Sequence, residues 1–162
     1  MTGGAPPQPA RRAPLTLLVT WGGSGLLPKM PGTWGSLAAL PVAAPIHWAA
    51  GGLALALAAV IVAGLGFWAL RHYLAGTERD DPQEVVIDEV AGQWLTLAPL
   101  ALSPEAYLVG FLVFRAIDTV KPWPIRHLEA LPGALGVMAD DLAAGVVAAA
   151  LCFGAFHLTG QV

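Results

Sequence analysis

Between Lys29 and Arg71 the chain carries no Asp, Glu, Lys or Arg. A membrane-spanning helix needs about 17 to 25 residues, so this stretch is long enough to cross a bilayer and return. Residues 51–70 are the clearest spanning segment within it. Their partner, residues 35–50, contains Pro41 and Pro45. Proline removes a backbone donor, so a kinked or tilted helix is expected there, with the chain reversing near residues 47–52. Composition agrees with lipid as solvent: 56% of residues are apolar and 12% charged, against a charged share of about 25% in soluble domains.

Downstream, Asp81-Pro82-Gln83-Glu84 offers a cap, a proline at the first helical position and a glutamate at the third, predicting a helix from Pro82 that runs apolar from Val90. Pro99, Ser103 and Pro104 close it, and residues 105–118 form the next helix. Both are short for a full crossing, so they either thin the bilayer as a hairpin or stay within the protein. After Pro122 and Pro124 a polar connection leads to Asp140 and Asp141, and residues 142–162 again lack Asp, Glu, Lys and Arg, which predicts a last span. If the chain starts inside and crosses at each segment, all eight basic residues fall on the cytoplasmic side, with Glu105, His47 and His157 outside. The expected fold is all-α: a compact multi-helix membrane bundle of about five apolar segments with short, kinked members. It occupies residues 15–162 as one domain, behind a flexible Pro-rich tail over residues 1–14 with no cleaved signal.

A net charge of −3 leaves no basic surplus for nucleic acid. Cys152 lies in an apolar run without cationic neighbours and reads as packing. The four histidines are scattered and supply no nucleophile. The acidic residues carry the information, because carboxylates at the ends of apolar helices are costly and usually functional. Asp88-Glu89 precede Val90-Ala91-Gly92, and Asp140-Asp141 precede Leu142-Ala143-Ala144-Gly145. Small residues after each pair allow the helices to approach closely and bring the carboxylates together. Arg115, Asp118 and Lys121, spaced by three, share one helix face, where a carboxylate can hold metal and the cations phosphate oxygens. A glycine-rich loop over residues 22–36, with Lys29, Gly32, Thr33 and Ser36, suits an anion but lacks the spacing of a nucleotide-binding phosphate loop. Plainer roles stay open: a helix cap for Asp140 or Asp141, a structural ion pair for Arg115 and Asp118, a simple turn for the glycines.

The segments PGTWGSLAALP, VIDEVAGQW, FRAIDTVKPWPIR and MADDLAAGV, in this order and at these spacings, closely resemble the phosphatidylglycerophosphatase A family over roughly residues 21–147. Lys121-Pro122-Trp123-Pro124 and Asp140-Asp141 are specific in combination, whereas a lone Asp-Asp is not. The resemblance implies an all-helical fold and Mg²⁺-dependent hydrolysis of the terminal phosphomonoester of phosphatidylglycerophosphate, on the cytoplasmic side of a bacterial inner membrane, in phospholipid biosynthesis. On that reading Asp88, Glu89, Asp118, Asp140 and Asp141 supply ligands for one or two Mg²⁺ ions. Arg115, Lys121 and Lys29 neutralise phosphate oxygens, with Gly32, Thr33 and Ser36 in the cradle. Attack by water and an aspartyl-phosphate intermediate both remain open. A transporter would spread polar residues through the membrane depth, whereas here they cluster at one end. A CDP-alcohol phosphotransferase would need an Asp-Gly-centred acidic motif, which is absent.

Overall fold

The computed structural model describes residues 13–75 and 82–160. Among these there are six α-helices and no strand: α1 (Ala13–Val19), α2 (Pro31–Leu74), α3 (Ile87–Leu97), α4 (Pro104–Val120), α5 (Ile125–Glu129) and α6 (Ala134–Leu158), with a 3₁₀ turn at Ser24–Leu26. Ala13 and Pro14, expected in the tail, already belong to α1; the rest of the tail, Arg79 and the proposed cap Asp81 lie outside the described residues.

The charge-free run folds back on itself. Within α2 the backbone leaves helical geometry at Gly51, with φ 77° and ψ 176°, a combination that glycine adopts without a Cβ clash. The reversal thus falls within the expected residues 47–52, while Pro41 and Pro45 stay inside the first arm on its exposed side without breaking it. A Cβ on Gly35 would stand 2.5 Å from the Val86 Cβ, and one on Gly66 3.0 Å from Ile87 Cγ1. Two positions on opposite sides of Gly51 therefore meet adjacent residues of one neighbour, which makes the arms antiparallel. Both α2 and α6 are long and apolar enough to cross a membrane. Large apolar side chains such as Trp48, Leu53, Val60 and Ile61 of α2 and Leu151 of α6 point outward, unburied.

The central element is α3. It begins at Ile87 rather than Pro82, because residues 82–86 run extended and turn beside α1, where the Val86 N–H donates to the Val19 carbonyl at 2.8 Å. Glu84, expected in a capping box, accepts from the Tyr73 hydroxyl at 3.0 Å instead. At 11 residues, or about 16 Å, α3 is too short to cross a bilayer, and nearly all of it is buried against α2, α4 and α6. The Trp94 indole N–H pins it to the first arm of α2 by donating to the Ala39 carbonyl at 3.0 Å.

Ser103 caps α4, its hydroxyl accepting from the Ala106 N–H at 3.1 Å, and Lys121 ends it in the left-handed region at φ 45°. The connection that follows contains α5, a short helix that the polar sequence did not announce. Next, α6 starts at Ala134 behind Gly133 (φ 57°), not at residue 142. Asp140 and Asp141 thus lie inside the helix, which removes the capping role considered for them.

Candidate active site

Four elements deliver polar side chains to one end of the bundle: the first turn of α3, the end of α4, the last residue of α5 and α6 from its second turn onward, with Pro31 and Gly32 at the start of α2 closing the wall. They enclose a cavity of about 510 Å³. Among the described residues its wall carries six carboxylates (Asp88, Glu89, Asp118, Glu129, Asp140 and Asp141) and two cations, Arg115 and Lys121. So large a negative excess in a partly enclosed space calls for a cation to balance it.

Asp88 and Glu89 stand in the first turn of α3, where the helix dipole favours negative charge. Asp141 reaches them from α6. One carboxylate oxygen from each of the three lies within 4.8 Å of the others. The Glu89 N–H donates to Asp88 Oδ1 at 3.0 Å, and the Asp141 N–H to Asp140 Oδ1 at 3.0 Å, which fixes each pair relative to its helix. Burial pushes the Asp88 carboxyl well above the usual range, and the charge of Glu89 adds to the effect. Glu89 is pushed up to about 8, chiefly by burial and then by Asp141 and Asp118, with its bond to Asp88 and the Arg115 charge opposing. Glu89 Oε2 is buried without a partner. Clustered carboxylates with an unpartnered oxygen are the donor set that a hard divalent cation prefers, and the residues fit one.

The predicted face of α4 is present. Arg115 is ion-paired with Asp118 one turn on, and both line the cavity, so the structural pair and the site are the same feature. Lys121 Nζ donates to Asp140 Oδ2 at 2.5 Å and is ion-paired with Glu129 Oε1 at 3.1 Å. Burial alone would lower its pKa, but these two carboxylates outweigh that and raise it, so the ammonium stays charged.

The glycine segment is placed differently from expectation. Because α2 begins at Pro31, residues 32–36 form a helix rather than a loop. Gly32 lines the cavity, and the Glu89 carboxylate occupies the space a Cβ would fill, with Arg115 Nη1 3.1 Å from that point. Lys29, Thr33 and Ser36 are not on the cavity wall. Lys29 is exposed in the preceding turn. Ser36 is buried, its hydroxyl donating to the Gly32 carbonyl at 2.8 Å. Thr33 is rotated about 100° from Gly32 around the helix, and Ser36, on the same face one turn further in, is taken up by the Gly32 carbonyl.

Three polar cavity residues escaped sequence reasoning as site residues: Gln83, Thr119 and Glu129. Glu129 had a signal in retrospect, since Pro122 and Pro124 after Lys121 turn the chain sharply and bring α5 back beside it. Gln93, one turn beyond Glu89, is fully buried with both amide atoms unpartnered.

Comparison with known proteins agrees with this arrangement. A family model described as phosphatidylglycerophosphatase A matches residues 17–156. Phosphatidylglycerophosphatase A of Escherichia coli is 35% identical over 149 residues, covering 89% of this chain and 84% of the relative. The Haemophilus influenzae protein of the same name is 33% identical over 142 residues, 86% of this chain and 87% of the relative. A Bacteroides thetaiotaomicron protein, named as a candidate phosphatidylinositol-3-phosphatase, is 35% identical over 137 residues, 80% of this chain and 86% of its own. No solved structure matches the chain significantly. With the family match spanning most of the chain and the acidic and basic motifs meeting in one cavity, this chain belongs to the phosphatidylglycerophosphatase A family and is a phosphatase.

Proposed function

We propose that the enzyme hydrolyses the terminal phosphomonoester of phosphatidylglycerophosphate, releasing phosphatidylglycerol and inorganic phosphate, as a step of phospholipid biosynthesis that requires Mg²⁺. The observation that carries this reading is the convergence of six carboxylates and two cations in one cavity of an otherwise apolar bundle. A lipid phosphate needs polar partners at its head and apolar surface along its chains.

Asp88, Glu89 and Asp141 hold the Mg²⁺, and Asp118 and Asp140 complete its surroundings. When bound, Mg²⁺ supplies Lewis-acid polarisation of the phosphoryl group and makes water a better nucleophile. Arg115 and Lys121 neutralise the equatorial oxygens as charge redistributes toward the leaving oxygen. Asp118, oriented by Arg115, accepts the proton of the attacking water. The Gly32 backbone leaves room for the Glu89 and Arg115 heads beside the phosphate.

The protein sits in the bacterial inner membrane with this cavity at the cytoplasmic end. Lys29, Arg71, Arg115, Lys121 and Arg126 belong to segments at the cavity end of the bundle, in keeping with the enrichment of basic residues on that side. The two arms of α2 and α6 are the long spans, and α3 and α4 complete five segments, α3 shielded from lipid by its neighbours.

The test is phosphate release from phosphatidylglycerophosphate by the detergent-purified protein, with Mg²⁺ or EDTA, beside Asp141→Asn. Phosphatidylinositol 3-phosphate is run in parallel because one relative is named for that substrate. Mg²⁺-dependent release that collapses in the folded variant supports the reading. Absence of release from phosphatidylglycerophosphate by folded wild-type protein under both conditions refutes it, and release from the inositol lipid alone reassigns the substrate. Trapping of a phosphoenzyme separates an aspartyl-phosphate route from direct attack by water.

A further inference from the structure

Lys121 is already engaged before any phosphate arrives. An ammonium has three donors; one goes to Asp140 at 2.5 Å, and Glu129 is ion-paired with the same nitrogen at 3.1 Å. The two carboxylates differ in setting. Asp140 is buried inside α6, whereas the Glu129 side chain is 51% exposed, on the last residue of the five-residue α5. Negative charge at the C-terminal end of a helix is not favoured by the helix itself. Glu129 is ion-paired with Lys121, and both line the cavity.

We infer that Glu129 is a positioning residue that acts through Lys121: it holds the ammonium at the cavity wall with one donor free for a phosphoryl oxygen, and its charge keeps bound inorganic phosphate from staying. This rests on the assignment of Lys121 to the substrate phosphate made above. A phosphate dianion bound to Lys121 comes within a few ångströms of Glu129, close enough for like-charge repulsion to be felt at a partly enclosed site. The substrate phosphate feels the same repulsion, but it is also anchored by the lipid it is attached to. The cleaved ion has no such anchor, so Glu129 acts most on the product.

The test uses the full chain in detergent with Mg²⁺ and inorganic phosphate as the probe. Binding is read by titration calorimetry, and independently as the inhibition constant against turnover. Glu129→Gln keeps an acceptor for Lys121 but removes the charge. It is expected to tighten phosphate binding about tenfold, with kcat no higher than that of the wild type. Glu129→Asp, which restores the charge, returns the constant toward the wild-type value. Phosphate affinity that is unchanged or weaker in a folded Glu129→Gln protein overturns the inference while leaving the phosphatase reading standing. Loss of turnover in the wild type sinks that reading, and the calorimetric comparison still decides the role of Glu129. Where wild-type binding is too weak to detect, a folded Glu129→Gln protein that also binds no phosphate overturns the inference.

Discussion

Gly92 of α3 and Gly145 of α6 meet backbone to backbone: a Cβ on Gly145 would stand 2.8 Å from the Gly92 Cα. Each glycine lies four residues beyond an acid of the cluster, Asp88 and Asp141. The Thr96 hydroxyl seals the contact, within hydrogen-bond distance of the Gly92 and Gly145 carbonyls at 3.0 and 3.2 Å. The spacing between the two acidic pairs is therefore set by the absence of two side chains. Gly145→Val should push α6 away and lower kcat/KM by about 100-fold, the scale of a displacement of about 1 Å in a catalytic constellation. Phosphate release, compared with circular dichroism to confirm helical content, checks it.

Gly32 permits a different approach, that of the Glu89 and Arg115 heads to the start of α2. Gly32→Ala puts a methyl group where the Glu89 oxygen now sits. Activity should fall by at least about tenfold, with little change in thermal stability, because the collision is with the ends of side chains. Parallel melting and activity curves test this, and a large drop in melting temperature would count against it.

Asp88→Asn and Asp141→Asn each remove one charge from the three-carboxylate cluster. Both should abolish most of the thermal stabilisation that Mg²⁺ confers on the wild type, since ligand-linked stability scales with affinity. The readout is the melting temperature with and without Mg²⁺, independent of turnover. An undiminished Mg²⁺ shift in either variant removes that residue from the metal site.

Burial and the neighbouring carboxylates push the Glu89 carboxyl up to about 8 in the folded, metal-free protein, against about 4.3 in an unfolded chain. Stability linked to this proton is full below the unfolded value and is lost as pH rises through about 8. Metal-free protein should accordingly melt at lower temperature at pH 8 than at pH 6. Mg²⁺, which requires the ionised carboxylate, should raise the melting temperature more at pH 8 than at pH 6. Melts at the two pH values, with EDTA or Mg²⁺, measure both differences.

Arg115 offers a planar fork beside Asp118, which lysine cannot reproduce. Arg115→Lys should raise KM for the lipid phosphate about tenfold while the protein remains folded. An unchanged KM would show that the guanidinium serves Asp118 alone.

The sequence was most legible where chemistry and periodicity coincide. Arg115, Asp118 and Lys121 recur every three residues on one apolar helix, and the structure lines one wall with them. The reversal of the charge-free run was likewise readable from its length. Helix starts were less so. Pro82 and Asp81 imitate a helix start, but Val86 is drawn into a hydrogen bond with α1, a tertiary contact that local propensity does not encode. Thr33 and Ser36 looked like loop hydroxyls because of the glycines around them. Those glycines serve close helix contacts instead, with Val86 lying against Gly35. Glu129 carried no periodic signal, because α5 is five residues long, and only the turn at Pro122 and Pro124 pointed to it.

The burial of α3 bears on the order in which the chain becomes an enzyme. Its acids come from the middle of the sequence, but the carboxylate that completes their cluster and a large part of the surface that covers α3 belong to α6, the last helix described. A nascent chain halted after α5 lacks Asp140 and Asp141, so the carboxylate cluster is incomplete. Competence is thus reached in a single late step, when the final helix docks, and a chain truncated before it is expected to have no partial activity to lose.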